Sequence, residues 1–151
     1  RGIDLARYKG LIFDIRTQFQ KNGAGEWVLT GVAVRVAGKN RFVTHIPNGG
    51  RAASYNDVIS EVFGSTSLTR RQVDEQLEEI RLLVPGVLEK ELRLSLAVLS
   101  LDIGVDKNGR MWIIEINSKP ASFDENDIRT THWQNLMDYF LYVNENRTRG
   151  R

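Results

Sequence analysis

The chain has no cysteine. That absence excludes disulfides, cysteine-ligated zinc and a thiol nucleophile, and it inclines the expected compartment towards a cytoplasmic, intracellular one. Long hydrophobic runs are missing too. No segment approaches ~18 uninterrupted apolar residues, so no membrane span is expected. The opening "RGIDLARYKGLIFD" carries no apolar stretch of the signal-peptide kind before Asp14. Nor does one sign of charge dominate: 21 Lys and Arg against 19 Asp and Glu leave a formal charge of +2. No basic run is interleaved with aromatics, which argues against nucleic acid as a partner. What remains is 151 residues, 41% of them hydrophobic, enough for one core and one domain.

"LIFDIRTQFQ" (residues 11–20) alternates in the manner of a strand and is rich in β-formers. "KNGAG" reads as a loop and "EWVLTGVAVRVAG" as the second strand of a hairpin. "RFVTHI" reads as a third strand, stopped by "PNGG". "YNDVISEVF" predicts a short helix. Thr69 is placed to cap a longer one, with Val73, Leu77, Ile80 and Val84 on one stripe. Pro85-Gly86 is expected to interrupt that helix, and residues 87–100 to resume it. The charges of residues 70–93 fall mostly off the stripe, as on a solvated face. A last helix holds Trp133, Leu136, Met137 and Phe140 at helical spacing, as core residues. Residues 144–151 read as a fraying, disordered tail. The order predicts an α+β fold, a mostly antiparallel sheet with helices packed on one face.

The informative stretch is "LDIGVDKNGRMWIIEINSKP", residues 101–120. Asn108-Gly109 favours a two-residue type I′ turn. That turn sets Asp102 opposite Glu115, with Asn117 two residues further on the same face. A four-residue loop keeps this register; a three- or five-residue loop with a bulge shifts it by one. Two carboxylates about 5 Å apart repel by roughly 3 kcal/mol at an effective dielectric near 20. A cation, a shared proton or a neighbouring arginine would relieve them. Oxygen donors suit Mg²⁺ or Mn²⁺. A polar face simply turned to water is the plain alternative. Asp14, Arg16 and Arg35 repeat the pattern of charge among β-branched residues. Arginines there offer phosphate-binding forks, although each alone is more often a structural ion-pair partner.

These residues resemble the metal-binding hairpin of ATP-grasp ligases, an Asp on one strand and Glu-x-Asn on the next. "FDIR", "GVAVRV", the paired glycines and "IEINSKP" together are similar to the YheC/YheD-like, endospore coat-associated branch. The resemblance runs from about residue 11 to about residue 143. It implies an ATP-grasp C-terminal lobe spanning residues 1–151, with residues 1–10 the remnant of an inter-lobe hinge. It implies ATP and Mg²⁺ (or Mn²⁺) as cofactors, and an unknown carboxylate and amine joined through an acyl-phosphate. Asp102, Glu115 and Asn117 would bind the metal. Arg16 and Arg35 would reach phosphate as catalytic groups, with Gly49, Gly50 and Lys119 also near the nucleotide or substrate. His45 stands where many relatives carry Asn, and His132 reads as structural. No glycine-rich phosphate loop is present, so a missing N-terminal ATP-grasp lobe is the expected partner. The lobe by itself should be inactive, in a cytoplasmic or spore-associated protein. The alternative is a non-catalytic ATP-grasp-like module used in spore-coat assembly.

Overall fold

The computed structural model describes residues 2–38, 44, 50–120 and 126–149. The strands are β1 (Arg7–Tyr8), β2 (Leu11–Lys21), β3 (Trp27–Val36), β4 (Arg51–Ala53), β5 (Val98–Val105) and β6 (Met111–Asn117). The helices are α1 (Tyr55–Phe63), α2 (Leu68–Leu92) and α3 (Asn126–Arg149). The sheet has the order β4-β3-β2-β5-β6, and β1 pairs with β2. The expected α+β class with a mostly antiparallel sheet is what forms. The expected strand at "RFVTHI" lies outside the described residues except for Thr44, which is not in a strand. The described chain divides into two compact units.

The first unit comprises residues 1–17, 32–80 and 101–116. Its core is Phe13, Ile15, Val34, Val36, Val58, Ile59, Val73, Leu77, Leu101, Ile103 and Val105, all buried. The alternation in β2 therefore does what the sequence implies: Phe13 and Ile15 face the apolar interior. Helix α1 spans the segment read as helical and is capped by Ser54, whose side chain accepts from the Asp57 N–H. The cap expected at Thr69 is instead Ser67, whose Oγ accepts from the Arg70 N–H at 3.0 Å. Arg70 then joins α1 to α2, donating to Asp74 (2.8 Å), Ser60 (2.7 Å) and Asn56 (2.9 Å).

The second unit comprises residues 18–31, 81–100 and 117–151. Pro85 does not break α2, which runs on to Leu92. The turn beyond the proline is held from outside. Glu89 accepts from Lys21 Nζ (2.8 Å), Trp27 Nε1 (3.2 Å) and the Leu96 N–H (2.8 Å). Burial raises the pKa of Glu89, but these donors outweigh it and hold the carboxyl below its usual range. The helix expected to reach residue 100 ends eight residues early. Arg93 adopts φ +52°, and the Leu94 N–H bonds back to the Glu89 carbonyl at 3.1 Å. This is a Schellman closure without the usual glycine, so the sequence carries no visible stop.

Helix α3 also departs from expectation. Trp133, Met137 and Phe140 are 59%, 57% and 69% exposed and are not core. Its inward side is polar: Asn135 donates to Thr30, and His132 meets Gln18 and Gln20. The helix continues through Arg149, where a frayed tail was expected from residue 144. Gly31 admits α3 closely, since a β-carbon there would stand 2.3 Å from Ile128 Cγ2. Gly31→Ala should therefore destabilise the chain by about 1–3 kcal/mol, read as a lower urea midpoint. Adding Ile128→Ala should recover part of that loss; no recovery would exclude this contact as the cause.

Candidate metal and phosphate site

The site is built in the first unit, on three neighbouring strands. Asp14 on β2, Arg35 on β3 and Asp102 on β5 are 7%, 5% and 6% exposed. Arg35 Nε donates to Asp14 Oδ1 at 3.1 Å, and Nη2 donates to Asp14 Oδ2. The same Nη2 pairs with Asp102 Oδ2 at 2.7 Å. One guanidinium thus serves two carboxylates, leaving the trio with a formal charge of −1. Burial alone would lower the pKa of Arg35, but the hydrogen bonds and charges of Asp14 and then Asp102 raise it above the ordinary arginine value. Arg35 is therefore permanently charged, as the two acids require.

Asp102 Oδ1 is buried and has no hydrogen-bond partner among the described residues. A buried carboxylate oxygen left unpaired is costly in the absence of a cation or donor. Ser100 Oγ, two residues earlier on β5, is unpaired in the same sense. The donor set is all oxygen, which fits a hard cation such as Mg²⁺ or Mn²⁺. Among the described residues, no group of three or more His, Cys, Asp or Glu is placed to hold a metal. Any cation here would therefore lean on few protein ligands and on water or phosphate oxygens.

The hairpin bearing the other expected ligands differs at its turn. The Gly109 N–H bonds to the Asp106 carbonyl (3.0 Å), and the Asp106 N–H to the Arg110 carbonyl (2.9 Å). Gly109 has φ +79°, whereas Asn108 is not in the positive-φ region a type I′ turn demands. The loop is thus residues 107–109, a type I turn closed by a glycine bulge. An unbroken ladder from this turn sets Asp102 opposite Ile114, one residue from the expected Glu115. The Ile114 side chain fits that register, lying 3.1 Å from where a β-carbon of Gly104 would sit. The physical cause is Asp106. Its Oδ1 accepts from the Asn108 and Arg110 N–H groups (2.9 and 3.0 Å), and its Oδ2 from Trp112 Nε1 (3.0 Å). Burial raises the Asp106 pKa, but the Trp112 and backbone donors outweigh it and keep the carboxylate ionised. In the second unit, Asn22 closes the β2–β3 loop in the same way, with Gly25 at φ +77°.

Of the remaining expected residues, Arg16 is half-buried on the Asp14 side of β2, and Glu115 is exposed on β6. Asn117 is the half-buried last residue of β6, and Lys119 is exposed just beyond it. Gly50 is half-buried next to β4, while Gly49 and His45 lie outside the described residues. The ion-pair role weighed for Arg35 is the one it plays here. Asp14 is the participant the sequence reading underrated. Its signal was an acid facing an arginine across two otherwise apolar strands.

His132 has the structural role expected of it. Its Nδ1 lies 2.8 Å from Gln18 Nε2 and accepts from that amide, which leaves the imidazole proton on Nε2. Burial lowers its pKa from the ordinary histidine value. The folded state therefore binds its proton later than the unfolded chain does. Its contribution to stability is complete above the unfolded pKa and is lost as pH falls from there through the folded value. Urea midpoints should drop on acidification from pH 7.5 to 5.5, and His132→Gln should flatten that slope. An unchanged slope would contradict the assignment.

Residues 1–143 match the family model described as YheC/D like ATP-grasp. The chain belongs to the YheC/D-like ATP-grasp family. It is 32% identical over 121 residues to endospore coat-associated protein YheD of Bacillus subtilis (strain 168). That match covers 80% of the chain and 26% of YheD. It is 33% identical over 111 residues to endospore coat-associated protein YheC of the same organism, covering 72% of the chain and 29% of YheC. The chain thus spans little more than a quarter of the length of the curated relatives it matches. Among the described residues of this YheC/D-like ATP-grasp lobe, no helix is long and apolar enough to cross a membrane.

Proposed function

We propose that this lobe supplies the metal- and phosphate-binding half of an ATP- and Mg²⁺-dependent ligase that joins a carboxylate to an amine. One observation carries the proposal: a buried Asp102 oxygen with no described partner, on an acid pair that shares a single arginine. The trio is one positive charge short of neutral, and a divalent cation would supply it with charge to spare for phosphate. Asp102 is the principal ligand; Glu115 would join it only through a second bulge in β6, because an unbroken ladder turns Glu115 to the face away from Asp102. Bound there, Mg²⁺ would neutralise phosphate charge and orient the transferring group.

The protein groups divide the remaining work. Arg35 holds the Asp102 carboxylate in place and turns one oxygen away from itself. Its own reach to phosphate, expected from the sequence, would require leaving two buried acids unpaired. Arg16, on the same side of β2, is the better candidate to contact phosphate. Gly50 borders the nucleotide or substrate. The adenine-binding groups belong to a second ATP-grasp lobe, and the protein acts in a spore-associated setting, as the names of its relatives suggest.

The competing reading is a non-catalytic ATP-grasp-like module in spore-coat assembly, and the commitment of Arg35 to two carboxylates favours it. Release of ADP and phosphate separates the two, measured with candidate carboxylates and amines on a longer protein carrying this lobe. Glu115→Gln should reduce turnover by at least about a hundredfold if Glu115 holds the metal that carries phosphate charge. Unchanged turnover would remove Glu115 from the site. Tight one-to-one ATP binding by this chain alone, seen by calorimetry, would contradict the divided site.

A further inference from the structure

Helix α2 hydrogen-bonds to the β5–β6 turn through Gln76, and the meeting has an unusual form. Strand β6 lies at the end of the sheet order, so among the described residues its outer backbone groups have no strand to pair with. The Arg110 carbonyl is used inward, towards β5, by the Asp106 N–H. Met111 therefore points its N–H to the open edge. There the N–H donates to Gln76 Oε1 at 3.0 Å. Gln76 Nε2 in turn donates to the Gly109 carbonyl at 2.8 Å and to the Gln72 carbonyl, one turn back on α2, at 2.9 Å. Both amide hydrogens and the amide oxygen are engaged. The carboxamide presents one donor and one acceptor to the β6 edge, as a single residue of an added strand would.

The backbone beneath it is fixed as tightly. A β-carbon on Gly109 would stand 2.5 Å from Thr69 Cγ2 and 3.4 Å from Val73 Cγ2, so α2 sits directly on the bulge. Asp106 gathers the Asn108 and Arg110 N–H groups from the inside of the turn. Gln76 takes Met111 and Gly109 from the outside. Together they fix which residue of β6 follows the bulge, and hence how the strand is presented to β5. A slip of one residue would exchange the two faces of β6.

We infer that Gln76 is a positioning residue for the metal-bearing hairpin: its side chain serves as a one-residue surrogate strand that holds β6 in register. The inference rests on the metal reading of Asp102. It adds that α2 controls which face β6 turns to Asp102, through hydrogen bonds and not only through packing. Stability alone does not require such a device, because an edge N–H can bond to water at little cost.

The test uses Mn²⁺ as the probe and compares Gln76→Met, which keeps the length of the arm and loses both bonds to the hairpin, with Val73→Ala, a packing lesion on the same helix. Gln76→Met should speed amide hydrogen exchange at Met111 by roughly tenfold or more. It should also weaken Mn²⁺ binding by about tenfold, the lower end for groups that orient metal ligands. Val73→Ala should lower the urea midpoint while the folded protein keeps its Mn²⁺ affinity. Faster exchange at Met111 with Mn²⁺ affinity unchanged would overturn the positioning role and leave the metal reading standing. Absence of any Mn²⁺ binding that Asp102→Asn weakens would overturn both together. Exchange at Met111 unaffected by Gln76→Met would overturn the clamp itself.

Discussion

Arg35→Met should destabilise the chain by about 3–5 kcal/mol, the usual penalty for removing one partner of a buried ion pair. The size follows from geometry. Asp14 and Asp102 are both almost fully buried, and each has a charged oxygen bonded to the same guanidinium. Methionine fills much of the arginine's volume, so a cavity contributes little to the expected loss. What remains is two carboxylates facing each other with nothing positive between them. Adding Asp14→Asn removes one of the two charges and should recover a substantial part of the loss. The measurement is a double-mutant cycle in urea for Arg35→Met and Asp14→Asn. Strictly additive effects would mean that the contact contributes nothing of its own. A loss below about 1 kcal/mol would place Arg35 with ordinary surface ion pairs.

Period-2 alternation and β-branched content identified β2 and β3, although both bury residues on both faces, and β6 was legible from the apolar runs flanking Asn108-Gly109 although most of it is exposed. Helix α1 was equally plain, bounded by Ser54 and Gly64. The failures have specific causes. The end of α2 was invisible because Arg93 fills a left-handed position where glycine normally announces the stop. The exposed face of α3 was misread because periodicity reveals an apolar stripe but not which way it turns. Here the polar side of the helix is the one satisfied by Gln18, Gln20 and Thr30. The turn at residues 107–109 was misjudged by one residue because the Asn-Gly preference is local. Asp106 rewards a different turn by accepting three hydrogen bonds.

The candidate site was legible as chemistry and only partly as geometry. Asp102 stood out as an acid within an apolar strand, and its burial makes it more unusual than the sequence alone implied. Arg35 stood out for the same reason, yet nothing local in the sequence says whether an arginine on a strand meets phosphate or a neighbouring acid. Three strands must first be placed side by side. The facing of Asp102 and Glu115 depended on one residue of register, and the Gly109 bulge changes the premise from which it was drawn.

Asp102→Asn should strongly weaken specific divalent-cation binding while leaving the lobe folded. Asparagine preserves the shape of the side chain, and Arg35 keeps its two bonds to Asp14. Direct titration of this chain with Mn²⁺, followed by electron paramagnetic resonance, is the measurement closest to the central claim. The unsubstituted chain should show one saturable site whose affinity falls roughly 10–100-fold or more in Asp102→Asn, at least as much as groups that merely orient ligands contribute. Mn²⁺ binding of equal strength in both proteins, or none in either, would contradict the assignment of Asp102 as the metal ligand.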